Sequence, residues 1–361
     1  MVNINTDFCG IKLKNPIMPA AGPPIRNAET ALAAKKGGTG AIVTKTISVT
    51  GAKVPRPCMA EPFRGGFLNT ELWSELEADQ WIEEEYPKID KMGLPVIIGL
   101  GYTGEDIRQL APKVEPFADA LELSTHYLDG DTFPVEEAIR AAKETTNLPV
   151  LVKLSPQIDI PTFAKAAEKA GADGIVLINS FGPCLDIDIN TGRPLMGSDT
   201  GYGWLSGKAI FPLALRCVYQ AAQAVDIPIV GVGGINSGED AVKMIMAGAI
   251  AVQVCTAAIL EGPDIYQRIT LEIEDFMQKK GYSSISDFYG LTLKKRTEEA
   301  SMKPITPVIN KNDCTACGIC VKSCPYQAIV IDKWAEIDEK ECFGCGLCAT
   351  RCPVSAIDHN W

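Results

Sequence analysis

Eight of the thirteen cysteines fall in two runs near the C-terminus, spaced to hold iron. "CTACGICVKSCP" supplies Cys314, Cys317, Cys320 and Cys324, and "CFGCGLCATRCP" supplies Cys342, Cys345, Cys348 and Cys352. Both follow C-x2-C-x2-C-x3-C-P. Three closely spaced thiolates wrap one [4Fe–4S] cluster, and the fourth cysteine of such a run reaches the other cluster. One cluster is therefore expected on Cys314, Cys317, Cys320 and Cys352, the other on Cys342, Cys345, Cys348 and Cys324. Zinc is the competing metal, but zinc ribbons usually show pairs of C-x2-C rather than runs of four ending in Cys-Pro. The other five cysteines (Cys9, Cys58, Cys184, Cys217, Cys255) are dispersed. Clustering of this kind points to metal rather than disulfides. Two adjacent clusters form a one-electron relay, and a relay needs a client in the rest of the chain.

A second set of chemistry-bearing residues is spread over that remainder. Lys45 and Thr46 end the run "AIVTKT", Lys153 lies in "PVLVKL", and Asn179 and Ser180 follow "GIVLI". His126 and Tyr127 follow "ALELST", and His126 is one of only two histidines. Thr256 follows "AVQVC". The elements that must position them are short, nearly continuous apolar runs alternating with helical patterns. Eight such runs occur: Pro16–Ala20, Ala41–Thr46, Pro95–Leu100, Ala120–Thr125, Pro149–Leu154, Gly174–Asn179, Pro228–Gly234 and Ala251–Cys255. Continuous apolar strands mean a parallel sheet buried on both faces. Eight strand–helix units predict an α/β fold, a (β/α)8 TIM barrel, and the cysteine-rich segment that follows it resembles a small α+β ferredoxin-like domain. The domains are expected at 1–302 and 310–361, with a linker at 303–309.

Chemistry in such a barrel gathers at the C-terminal ends of the strands. Lysines there read either as solvated rim charges or as site residues. Each lies within an apolar run, which favours side chains directed into the barrel mouth. "GVGGINSG" and "VCTAAI" end the seventh and eighth strands, where backbone amides often cradle a phosphate. "GLGYTG" matches a dinucleotide fingerprint, but it follows the third strand rather than opening the fold, so a glycine-rich barrel loop is the simpler reading.

Composition narrows the partners. Hydrophobic residues make up 46% and charged residues 22%, as in ordinary globular proteins. The net charge of −11 argues against nucleic acid and anionic membrane as partners. No apolar run is long enough to span a bilayer, and the opening "MVNINTDFCGIKLKNP" lacks a signal-peptide layout, so a cytoplasmic location is expected.

These motifs together resemble a known family. "TDFCGIKLKNPIMPAAG", "GAIVTKTI", "PVLVKLSP", "GIVLINS", "GYGWLSGKAIFPLALR", "IPIVGVGGINSGEDA" and "VQVCTAAI" resemble the FMN barrel of the dihydroorotate and dihydropyrimidine dehydrogenases. The cysteine repeat is similar to a bacterial-type ferredoxin with two clusters. "GGFLNTELWSE" looks like the pyrimidine-contacting loop of the dihydropyrimidine branch, and the resemblance is closest to the bacterial subunit carrying only the FMN and ferredoxin parts.

The resemblance implies a two-cofactor oxidoreductase. Electrons would pass between the clusters and FMN, with hydride exchange at an activated C=C/CH–CH bond of a small, polar, cyclic and pyrimidine-like substrate. It implies FMN contacts at Ala20, Ala21, Lys45, Thr46, Asn69, Lys153, Asn179, Ser206, Gly207, Gly233, Gly234, Cys255 and Thr256. Asn69, Glu71, Ser124, Asn179 and Ser180 match substrate-binding positions. It also implies an electron-transfer partner, either a FAD/NAD(P)H flavoprotein subunit or a free ferredoxin, and a homo- or hetero-oligomer. The family reads roughly L-E-L-N-x-S-C-P where this chain reads Leu121-Glu122-Leu123-Ser124-Thr125-His126-Tyr127-Leu128. The proton-moving cysteine thus falls on Tyr127, making Tyr127, with His126 tuning it, the catalytic pair expected here; Cys184 is a weaker substitute. A non-catalytic flavin/ferredoxin electron-transfer subunit and a true dihydropyrimidine dehydrogenase subunit are the alternatives.

Overall fold

The computed structural model describes residues 2–124, 129–295 and 304–358. Two compact units result, Met1–Lys295 and Arg296–Trp361.

Parity along the strands builds the first unit. Eight parallel strands form one sheet: β1 (Ile17–Pro19), β2 (Ile42–Val43), β3 (Val96–Leu100), β4 (Ala120–Ser124), β5 (Val150–Leu154), β6 (Gly174–Leu177), β7 (Ile229–Val232) and β8 (Ala249–Val254). From β2 to β8 each strand pairs with its sequence neighbour, and β8 returns to pair with β1, Val252 opposite Ile17. Across the remaining β1/β2 seam, the Gly40 N–H donates to Ile17 O at 2.8 Å. The sheet is thus a nearly closed TIM barrel, as the alternation of apolar runs and helices predicts. All eight strands fall within or beside the apolar runs identified above.

Successive strand residues point to opposite faces. Ile42, Ile98, Leu121, Val150 and Val252 face outward and pack on the helices. Met18, Val43, Ile97, Leu151, Val176 and Val230 face inward and fill the barrel. A hairpin, Thr6–Phe8 with Ile11–Leu13, closes the barrel's N-terminal end with buried Phe8, Ile11 and Leu13. Its two-residue turn, Cys9-Gly10, has positive φ at both positions (53° and 78°), the geometry a tight hairpin demands.

A four-stranded antiparallel sheet was not apparent from the alternating pattern. Met59–Phe63, Gly66–Asn69, Gly203–Ser206 and Phe181–Cys184 pair edge to edge. The signal for its first hairpin was present: Arg64-Gly65 is a two-residue turn, with Gly65 at φ 86°. The two strands that complete the sheet come from the insertion after β6, more than a hundred residues away in sequence, so local pattern could not pair them.

The second unit repeats one motif. Val308–Ile309 pairs with Ile357–Asp358, and Ile329–Ile331 with Ala335–Ile337. Short helices, Ile319–Ser323 and Leu347–Arg351, each contain the third cysteine of a run, Cys320 and Cys348. Val308 and Ile309, expected within the linker, are thus a strand of this unit. Its apolar core comprises Cys320, Ile329, Ala335, Cys348, Ala349 and Ile357. So small a core needs a metal staple to be stable.

Candidate active site and cluster cavities

One cleft opens at the C-terminal ends of the barrel strands, about 1320 Å³ with its open mouth included. Its lining includes Ala20, Ala21, Lys45, Thr46, Asn69, Lys153, Asn179, Ser206, Gly207, Gly233, Gly234, Cys255 and Thr256. Glu71, Ser124 and Ser180 line the same cleft. Every described residue singled out for flavin or substrate is therefore brought to one place. His126 and Tyr127 lie outside the described residues.

The two lysines are held differently. Lys45 Nζ donates to Glu71 Oε2 at 2.5 Å, and both side chains are largely buried. Lys153 Nζ donates to Glu122 Oε1 at 3.3 Å, inside the barrel. Neither is a solvated rim charge. Asn69 holds the loop that carries Glu71: its Nδ2 donates to Trp204 O (3.1 Å) and its Oδ1 accepts from the Glu71 N–H (3.2 Å). The Ser180 N–H donates to Asn179 Oδ1 at 2.8 Å. Ser206 and Thr256 hydroxyls lie 2.9 Å apart.

Glycines form one wall because nothing larger fits. Gly207, Gly233 and Gly234 have φ of 82°, 126° and 72°. A Cβ on Gly234 would lie 2.8 Å from Gly207 O and 2.8 Å from Phe211 N. Both are backbone atoms and cannot swing aside. Gly234→Val is expected to weaken flavin binding roughly ten- to a hundredfold, read by titrating the apoprotein, because strain at such a φ costs about 1–3 kcal/mol.

Two dispersed thiols bear on the chemistry. Burial pushes the Cys255 thiol up to about 11, against the opposing influence of Lys153 and Lys45, so it is a neutral S–H near pH 7. Cys184 sits on the Phe181–Cys184 strand, where burial raises its pKa, and it is not part of the cleft lining, so it is not placed to move a proton there. Residues lining the cleft that the motifs did not single out include Met59, Phe67, Tyr102, Trp204 and Gln253. The first, second and fourth belong to the antiparallel sheet, whose pairing depends on the tertiary fold.

In the second unit two small cavities separate the cysteines. Cys314, Cys317, Cys320 and Cys352 line one. Cys324, Cys342, Cys345 and Cys348 line the other. The fourth cysteine of each run thus sits with the first three of the other. Four thiolates around each cavity are the ligand set that the cysteine spacing assigns to one [4Fe–4S] cluster. Backbone N–H groups of Ala335, Gly344 and Ala356 donate to Cys314, Cys342 and Cys352 sulfurs at 3.4, 3.4 and 3.2 Å.

Residues 3–277 match the family model "Dihydroorotate dehydrogenase", and residues 291–356 match "4Fe-4S dicluster domain". The chain belongs to the dihydroorotate dehydrogenase family. It is 36% identical over 304 residues to the catalytic subunit of dihydroorotate dehydrogenase B (NAD(+)) of Methanothermobacter thermautotrophicus, covering 80% of this chain and 98% of that one. The same subunit of Methanosarcina mazei is 39% identical over 299 residues, covering 78% of this chain and 93% of that one. The subunit of Pyrococcus abyssi is 36% identical over 306 residues, covering 81% and 99%. These relatives are dihydroorotate dehydrogenases, so the narrower likeness to the dihydropyrimidine branch is not supported beyond the shared family.

As a member of this dehydrogenase family, the chain uses FMN, and its dicluster domain carries two [4Fe–4S] clusters. The cleft fits FMN on its own chemistry. Its wall of glycines, Gly207, Gly233 and Gly234, leaves room for a phosphate to approach the backbone, and two lysines could meet an electron-rich ring edge. Among the described residues, no helix is long and apolar enough to cross a membrane.

Proposed function

We propose that this chain is an FMN- and iron–sulfur-dependent oxidoreductase that acts on the C=C/CH–CH bond of a small, polar, cyclic substrate of pyrimidine type. The observation that carries this reading is one cleft with two differently equipped sides. The glycine wall with Lys45 and Lys153 suits the flavin, while Asn69, Glu71, Ser124, Asn179 and Ser180 offer donors and acceptors to a cyclic amide. FMN supplies hydride chemistry when bound, and the clusters supply one-electron transfer. Asn69 positions Glu71, and Glu71 holds the Lys45 ammonium beside the ring site. Tyr127, at the family's proton-moving position in the sequence, serves as the general acid, with its sequence neighbour His126 tuning it. Electrons would exchange with a separate flavoprotein subunit or a ferredoxin; the relatives' description as catalytic subunits supports such a partner.

Anaerobic reduction of the protein, followed by addition of orotate, uracil and other cyclic amides and enones, tests the reading. Reoxidation of the flavin by a pyrimidine-like compound is expected. If none reoxidises it while a protein partner does, the chain is an electron-transfer subunit instead, a reading that Ser124 and Tyr127 at the family's Asn and Cys positions favour. With the accepted substrate, Tyr127→Phe is expected to slow flavin reoxidation about 10²- to 10⁴-fold at unchanged FMN content. Full turnover in that variant would remove Tyr127 from proton transfer.

A further inference from the structure

The two halves of the ferredoxin-like unit repeat at a constant offset, so each half is a control for the other. Cys342 stands 28 residues after Cys314, and Cys352 stands 28 after Cys324. Each half exposes one cysteine, Cys317 or Cys345, so access to the metal does not tell them apart. Their surfaces do. Phe343 and Tyr326 stack, with ring centroids 4.7 Å apart and 17° between planes, in the lining of the Cys324, Cys342, Cys345 and Cys348 cavity. Phe343 is 61% exposed and Tyr326 43%. The positions that match them at the other cavity hold Thr315 and Val354, which have no rings to stack.

Charge departs from the repeat in the same half. The four residues before Cys314 are Asn310, Lys311, Asn312 and Asp313, one charge of each sign. Those before Cys342 are Asp338, Glu339, Lys340 and Glu341, three acids against one lysine, and all are exposed. The Asp338 N–H donates to Ala328 O at 2.8 Å, which ties the acidic segment to the stretch that carries Tyr326. At its other end the segment runs into Cys342 and Phe343. Single exposed apolar side chains are ordinary on a protein surface. Paired aromatic rings with a charged border have the make-up of a recognition patch instead. Because these rings line the cavity itself, a protein resting on them is close to the cluster. Electron transfer weakens steeply with distance, so this is where an exchange partner gains most by resting.

We propose that Phe343 and Tyr326 form the docking patch for a redox protein with an apolar centre and a basic rim, and that the cluster on Cys324, Cys342, Cys345 and Cys348 is the port through which electrons pass to or from it. Each passage is one electron: the cluster is oxidised as the partner is reduced, or the reverse, and no atom is transferred. The acidic segment steers the partner and the ring pair seats it. This inference rests on the reading that the chain exchanges electrons with a separate protein.

The test uses the full chain with flavin and both clusters, reduced anaerobically and mixed with oxidised cytochrome c, a basic haem protein, or with the neutral quinone menadione. The native chain is expected to reduce cytochrome c at a second-order rate that falls steeply with ionic strength. Phe343→Thr with Tyr326→Val gives this half the side chains of the other. It should slow cytochrome c reduction about tenfold and leave the menadione rate within about twofold of native. Asp338→Asn with Glu341→Gln should flatten the salt dependence. Thr315→Ala with Val354→Ala, at the matching positions of the other half, should leave both rates within about twofold of native. An undiminished cytochrome c rate in the ring variant, or an equal loss from the Thr315 and Val354 changes, would overturn the port. Should the variants lose iron, the native chain decides. Carbodiimide couples carboxylates to lysines, and its cross-links to cytochrome c should fall on Asp338, Glu339 or Glu341; cross-links confined to other acids refute the proposal. The two levels of inference separate in the native chain. Oxidation by menadione but not by cytochrome c counts against a protein partner altogether, and the port falls with it. Cytochrome c reduction that depends on neither the rings nor the acids fails the port alone.

Discussion

Cys324→Ala and Cys345→Ala are expected to remove the same cluster, although the two residues belong to different sequence runs. Each single variant should lose about half the bound iron, because a [4Fe–4S] cluster needs its four thiolates. The decisive comparison is between double variants. Cys324→Ala with Cys345→Ala should lose no more iron than either alone, since both line one cavity. Cys324→Ala with Cys317→Ala should lose nearly all of it, since Cys317 lines the other. Iron analysis and low-temperature spectroscopy of the reduced protein read the outcome. If Cys324 and Cys317 prove non-additive instead, ligation follows the sequence runs and the crossed arrangement is wrong. The apolar core of the unit is small, so complete loss of both clusters should also unfold it.

Lys153→Met is expected to destabilise the barrel by about 3–5 kcal/mol, because it strips a buried carboxylate of its counter-ion. Glu122 has no access to water and would keep only the hydrogen bond from Gln253. Adding Glu122→Gln should recover most of that loss, since the pair's removal is far cheaper than orphaning one member. The flavin effect should not recover. Without the Lys153 cation the anionic reduced flavin loses stabilisation, so the flavin midpoint shifts to more negative potential in the single and the double variant alike. Thermal unfolding and potentiometric titration separate the two consequences. A potential that returns to the native value in the double variant would show that Lys153 acts on the fold and not on the flavin.

The ease of reading this chain tracked the range of the interactions involved. The barrel was legible because a parallel sheet buried on both faces writes itself as uninterrupted apolar strands, and from β2 to β8 each strand pairs with its sequence neighbour. The iron sites were legible because cluster ligation imposes fixed local spacing. Lys45 and Lys153 stood out as charges inside apolar runs. What bound them did not: Glu71 lies 26 residues from Lys45, and Glu122 lies 31 from Lys153.

By itself, the sequence determined the strand order, the placement of Lys45, Thr46, Lys153, Asn179 and Thr256 at or just past the C-terminal ends of barrel strands, and the cysteine runs. These follow from local periodicity and spacing, which each segment carries alone. Only the tertiary structure decided which charge meets which. The Glu122–Gln253 contact joins residues 131 positions apart across the barrel. The antiparallel sheet draws on segments on either side of β3 to β6, and the cysteines sort into cavities that cross the two runs. Such contacts depend on closure of the barrel and folding of the repeat, which no single segment records.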